Sequence, residues 1–196
     1  MHILLSVSDT HFSKNPMFKK NELKKLRKQG NIVFKSNLLK DLNPLERYEI
    51  LQLCHQRTFK AGEYIFYKDD PGTGMYFIQE GTIRLSVNKQ NSSPNDSEDI
   101  EEHFSTELTN PAEFGLLSIG YEIQRLYTAY CVTDCKLLGF FKPDFETLKK
   151  RHPETAVKFL EAISTKSMKQ LELTMKVLTS ELGSKKAFDI LLNSEI

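Results

Sequence analysis

The feature that most constrains the fold of this chain is that its hydrophobic period changes twice. Over residues 37–57 the apolar residues Leu38, Leu39, Leu42, Leu45, Tyr48, Ile50, Leu51 and Leu53 recur at helical spacing, and Asn43-Pro44 marks a helix start. From Phe59 onward the apolar runs are short: Tyr64-Ile65-Phe66-Tyr67, Met75-Tyr76-Phe77-Ile78, then the alternating Ile83, Leu85 and Val87. Ala61-Gly62, Asp69-Asp70-Pro71-Gly72 and Gly81 punctuate them with turn chemistry. Strand signals return over 127–132 and 136–141, and Pro143-Asp144 starts a second helical stretch. After Arg151-His152-Pro153 there is no Pro or Gly before Gly183, so one helix is predicted to run to Leu182 and stop there. Short strands at close intervals between helical segments predict an α+β chain built on a compact antiparallel barrel or sandwich.

At 196 residues the chain has room for one sizeable core and a small appendage. Its 39 % apolar and 27 % charged residues exclude wholesale disorder, and a net charge of +1 denies the bulk basicity of a nucleic-acid binder. The one basic block is residues 1–40, where nine Lys/Arg face only Asp9 and Glu22; it reads as a solvated arm. Residues 88–103 are polar and acidic, and read as a long solvated hairpin loop. No signal-peptide core or membrane-length apolar run is visible, so no membrane partner is expected. Cys54, Cys131 and Cys135 lack metal-site or disulfide spacing and are expected to be buried thiols.

Enzymatic chemistry finds no support. Ser8-Asp9-Thr10-His11 imitates the first ligand motif of two-metal phosphoesterases, yet none of the further ligands such a site requires follows, and no metal or cofactor site is expected. On the predicted C-terminal helix, Met168, Leu171, Met175, Leu178 and Leu182 step by 3, 4, 3 and 4. So narrow a seam suits a partner helix, and a homodimer is expected.

The sequence Ala61-Gly62-Glu63-Tyr64-Ile65-Phe66, then Asp69-Asp70-Pro71-Gly72, Met75 to Gly81, Phe114-Gly115, Arg125 and Thr133 to Leu138 resembles the effector domain of the CRP/FNR superfamily. The likeness runs in order over about residues 38–192. It implies an antiparallel β-roll (double-stranded β-helix, or jelly roll) flanked by N-terminal helices and a long C-terminal dimerisation helix. The corresponding divisions are a basic arm (1–36), the roll (37–152), the dimerisation helix (153–183) and the truncated start of a helix-turn-helix region (184–196).

The resemblance also implies a small-molecule effector where Phe114-Gly115 opens a turn and Arg125 points inward. Cyclic-nucleotide binders of the superfamily carry a carboxylate after Phe-Gly, where this chain has Leu116, and the hydroxyl that favours cGMP is replaced by Leu126. The chain looks more like the global nitrogen regulator (NtcA) branch of cyanobacteria and red-algal plastids, whose effector is 2-oxoglutarate. By position, the backbone of Phe114, Gly115, Leu116 and Leu117 and the side chain of Arg125 would hold it, with Glu172 nearby. Ser167 stands where the branch has a helix-borne arginine, leaving Lys166 or Lys169 to supply positive charge; a hydroxyl there also matches the helix position that contacts adenine in cAMP binders. The expected function is therefore an effector-sensing transcription regulator for nitrogen control. The alternatives are a cyclic-nucleotide module with cAMP as effector, or a dimeric scaffold that binds nothing. DNA binding is implied by the family, but the 13 residues after Gly183 fall short of the roughly 55 that a domain folding alone needs. The implied compartment is a plastid stroma or a bacterial cytoplasm.

Overall fold

The computed structural model describes residues 31–88, 103–119 and 122–193. The basic block up to residue 30, with Ser8-Asp9-Thr10-His11, nearly all of the acidic hairpin segment and residues 194–196 lie outside the described residues.

The described chain begins with α1 (Ile32–Lys35), whose N-cap Asn31 accepts from Val33 N–H. Ile32 and Val33 are fully buried in the core, so the packed body starts inside the segment assigned above to a basic arm. Flanking lysines hid two apolar anchors. After a series of turns, α2 (Pro44–Leu51) starts at Asn43, whose Oδ1 accepts from Leu45 N–H and Glu46 N–H while Glu46 accepts from Asn43 N–H at 2.7 Å. The helical pattern over 37–57 is thus realised only in its middle. Its end is β1 (His55–Phe59), an edge strand whose first four residues are exposed and polar, which leaves no alternation for a sequence pattern to detect.

Seven further strands follow: β2 (Tyr64–Phe66), β3 (Gly74–Glu80), β4 (Thr82–Asn88), β5 (His103–Thr109), β6 (Glu113–Phe114), β7 (Thr128–Cys131) and β8 (Cys135–Phe141). They form two four-stranded antiparallel sheets, ordered β1-β8-β3-β6 and β2-β7-β4-β5. The chain switches sheets at every step from one strand to the next except β4 to β5, which pair as a hairpin, so the sheets face each other as a jelly roll. Inside it, Phe66, Ile78, Ile83, Phe114, Ala129, Cys131 and Leu137 make one apolar cluster. Cys131 and Cys135 are buried as expected, whereas Cys54 is only half-buried and donates to Ile50 O.

The other face of the first sheet carries α3 (Lys142–Arg151) and the start of α4 (Pro153–Leu182), and α5 (Ser184–Leu192) packs on α4. Asp144 caps α3 by accepting from Phe141 N–H at 2.8 Å. Met75, Phe77, Leu138 and Phe140 pack there against Phe145, Leu148, Ala156, Phe159 and Ile163, with the Phe159 ring edge-on to Phe140 at 5.3 Å. Polar ties fix α2 to the start of α4. Lys158 Nζ donates to Glu46 at 2.5 Å, Thr155 Oγ1 donates to Glu49 at 2.6 Å, and His152 Nδ1 lies 3.1 Å from Glu49.

Gly183, at φ +80°, ends α4 where the sequence predicts a stop. Only the first turns of α4 are buried. Met168, Leu171 and Leu182 are exposed, Met175 and Leu178 half-buried, and exposed Val157 and Leu160 extend the same stripe toward the N-terminus. At 3.6 residues per turn this stripe points away from the side that carries Phe159 and Ile163.

Candidate functional site

Glu113–Phe114 runs into Gly115, and Leu116–Ser118 then makes a single 3-10 turn. Gly115 has φ +77°, a conformation that side chains rarely adopt, and an added Cβ would lie 2.7 Å from Arg125 Nη1 and 3.0 Å from Gly74 O. Glycine is what lets the turn rest directly on the guanidinium. Arg125 is itself pinned by paired backbone bonds: its N–H donates to Asp70 O, and its carbonyl accepts from Asp69 N–H, both at 2.8 Å.

The Arg125 side chain is aimed inward and the residue is 5 % exposed. Nη1 donates to Gly74 O at 2.9 Å, Ser118 Oγ at 3.0 Å and Gly115 O at 3.4 Å, and the guanidinium carbon sits 4.1 Å from the Phe66 ring centroid. Nε is buried with no hydrogen-bond partner among the described residues, and none of their carboxylates forms a salt bridge with this arginine. Burial pushes the Arg125 guanidinium below the usual arginine value, against the opposing pull of Tyr76, Tyr127 and Asp70. Neutral carbonyls and an aromatic face offset only part of the cost of burying a cation, so the site is short of one negative charge.

That charge stands on the wall of a cavity of about 620 Å³, within the size range of small-ligand sites. The turn 114–118 and the segment 123–127 form one side, and Lys166, Gln170, Leu173 and Thr174 of α4 form the other. The structure brings Phe114, Gly115, Leu116, Leu117 and Arg125 together around it. Two details differ. Phe114 is a packed core ring, stacked on Tyr76 at 5.4 Å, and Gly115 N–H already donates to the Tyr127 hydroxyl at 3.0 Å. Burial raises the Tyr127 phenol, so the hydroxyl stays protonated beside the arginine.

Glu172 and Ser167 do not reach this wall. Glu172 lies on an exposed face of α4, bonded to Lys176 at 2.6 Å, which holds its carboxyl below the usual glutamate range. Ser167 is half-buried beside Lys166 and is not among the residues that line the cavity. Of the two lysines expected to supply positive charge, Lys166 lines this cavity and donates to Glu113 at 2.7 Å, while Lys169 lines a different one. Sequence reasoning missed Glu113. Its one signal was adjacency to Phe114-Gly115, since the partners that make it matter are distant in sequence. No group of His, Cys, Asp or Glu among the described residues is arranged to hold a metal ion, and no described helix is long and apolar enough to cross a membrane.

The two sheets and the cavity between Arg125 and a long helix define a β-roll with a ligand-sized cavity. Residues 56–152 match the family model of the cyclic nucleotide-binding domain, and over that stretch the chain is a cyclic nucleotide-binding domain of the CRP/FNR superfamily. The cyclic AMP receptor protein of Thermus thermophilus is 28 % identical over 147 residues, which are 74 % of this chain and 63 % of that protein. The global nitrogen regulator of Synechocystis is also 28 % identical, over 65 % of this chain and 54 % of its own length. The crystal structure of Thermus thermophilus catabolite activator protein superposes with a TM-score of 0.60 at 26 % identity, covering 74 % of this chain and 63 % of that one. This chain therefore spans roughly half to two-thirds of these relatives. Equal identity to a cyclic AMP receptor and a nitrogen regulator leaves the branch to be argued from the site.

Proposed function

We propose that this chain is the sensory part of a CRP/FNR-type transcription regulator, non-enzymatic and dimeric, whose effector is a small organic anion bound between the roll and α4. The observation that carries this reading is Arg125, a buried cation that lines the cavity and whose Nε has no hydrogen-bond partner among the described residues. An effector carboxylate accepting from that edge of the guanidinium would restore charge balance without disturbing the bonds Nη1 makes. The identity we favour is 2-oxoglutarate, with nitrogen status as the signal. Buried Leu116 supports it, because a dicarboxylate needs no acidic group there whereas a ribose hydroxyl does. The exposed stripe from Val157 to Leu182 supports pairing of two α4 helices, whose packing would shift as the cavity fills. Output to DNA, and a setting in a bacterial cytoplasm or plastid stroma, follow from the family likeness. Cyclic AMP is the second reading, favoured by one observation: the cavity lacks a single negative charge, which a cyclic phosphodiester supplies.

Calorimetric titration with 2-oxoglutarate and with cAMP, on the wild type and Arg125→Met, tests the proposal. Binding of 2-oxoglutarate that is lost in the variant supports it. Tighter binding of cAMP transfers the argument to the second reading, and flat titrations with both ligands leave a dimeric scaffold without an effector.

A further inference from the structure

Two cavities flank the middle of α4, and they share two wall residues. The effector cavity has already been described; the second, of about 710 Å³, opens between the turns at 37–42 and α4 and is lined by Lys40, Asp41, Lys158, Glu161 and Lys169 among others. Glu113 and Lys166 line both. Their ion pair, with Nζ 2.7 Å from Oε1, is thus a partition between the two spaces.

The Glu113 carboxylate is only 6 % exposed, and it is satisfied by more than Lys166. Ser36 Oγ donates to its Oε2 at 3.1 Å while accepting from Leu38 N–H at 3.2 Å. One carboxylate therefore ties the turn after α1, strand β6 and helix α4, directly before the Phe114-Gly115 step that lies on Arg125. The charged side chains on the effector wall are Glu113, Arg125 and Lys166. With Lys166 neutralised by Glu113, the cavity offers one unbalanced cation. A monoanion finds its partner at Arg125, whereas the second carboxylate of a dianion finds Lys166 already occupied.

We infer that Glu113 is a resident anion that competes with the effector for Lys166, so that a doubly charged effector binds by drawing Lys166 away and thereby opens the tie between α4, β6 and the Ser36 turn. This rests on the effector reading above and deepens it: Glu113 sets the charge selectivity of the cavity, and the exchange of partners at Lys166 couples occupancy to α4. Lys166 passes from one carboxylate to another, but Glu113, nearly buried, keeps only the Ser36 hydroxyl, and that cost is what weighs against a dianion in the wild type.

The test compares affinity for 2-oxoglutarate with that for pyruvate, which carries the keto acid but only one carboxylate, in the wild type, Glu113→Gln, Lys166→Met and Lys166→Arg. Removing the competitor should raise the dicarboxylate-to-monocarboxylate affinity ratio about tenfold in Glu113→Gln, Lys166→Met should bring it to about one, and Lys166→Arg should keep the wild-type ratio. An unchanged or lowered ratio in Glu113→Gln overturns the inference while leaving the effector reading intact. A second arm needs no ligand: hydrogen exchange of α4 amides over 163–170 should quicken at least severalfold in Glu113→Gln. If exchange there is unchanged, the carboxylate does not hold α4, and the inference fails whether or not an effector binds.

Discussion

Replacing Gly115 by alanine should cost far more than its single methyl group implies. An L-residue at φ +77° loses about 1–2 kcal/mol to backbone sterics. The added Cβ would also stand 2.7 Å from Arg125 Nη1 and 3.0 Å from Gly74 O, the donor and acceptor of the 2.9 Å bond that anchors the guanidinium. The first is too close for any Cβ contact and the second is tight, so the guanidinium must shift and this bond is weakened or lost. Losing a hydrogen bond to a charged group costs about 1.5–3 kcal/mol. Gly62 provides the control: its φ is +83°, yet an added Cβ meets nothing within 4 Å. Gly62→Ala therefore carries the backbone penalty alone, and the entropy lost from the unfolded chain is common to both variants. Urea unfolding should place Gly115→Ala about 1.5–3 kcal/mol below Gly62→Ala, a midpoint shift of about 1 M at a slope near 2 kcal/mol/M. In an Arg125→Met background the excess should shrink to what the tight Gly74 O contact alone imposes, because the nearer crowded atom and the bond it makes are gone. Equal destabilisation of the two single variants, or an excess undiminished in the Met background, would refute the contact between the turn and the arginine.

Other consequences are simpler. Phe159→Ala removes a fully buried ring packed on Phe140 and Phe145, and should lower unfolding stability by about 3–5 kcal/mol in the same assay. Leu171→Glu alters an exposed seam position, so sedimentation should show a dimer reduced to monomer with the circular dichroism of the fold retained; a variant that stays dimeric counts against α4 pairing. Burial acts to raise the Glu46 carboxyl, but Lys158 and the Asn43 N–H outweigh it and hold the group below the usual glutamate range. A depressed folded value contributes stability that is fully present above the unfolded pKa of about 4.3 and is lost as pH falls through the folded one. Urea unfolding between pH 3 and 6 should show a shallower acid-side loss in Glu46→Gln than in wild type.

Local chemistry made most of the architecture legible. Turn residues between short apolar runs announced the roll, and an uninterrupted helical stretch ending at Gly183 announced α4, because both depend on neighbours in sequence. What escaped was written over long distances. His55, Gln56 and Arg57 form a strand because Gly139, Leu138 and Leu137 of β8 pair with them, although nothing in their own pattern alternates. Ile32 and Val33 sit among lysines and are buried only because the core is nearby. Within the site, Arg125 and the Phe114-Gly115 turn were legible as a motif. Glu172 does not line the cavity, and spacing along α4 does not reveal which face meets the roll; Glu113 was overlooked because its partners Ser36 and Lys166 are 77 and 53 residues away.

The central claim, that Arg125 awaits an anionic effector, is tested most directly by the NMR signal of its own Nε–H, assigned by its absence in Arg125→Met. The account predicts that saturating 2-oxoglutarate shifts this resonance downfield and slows its exchange, as a buried donor gains an acceptor. A ligand that binds and leaves the Arg125 Nε–H signal unmoved would contradict it.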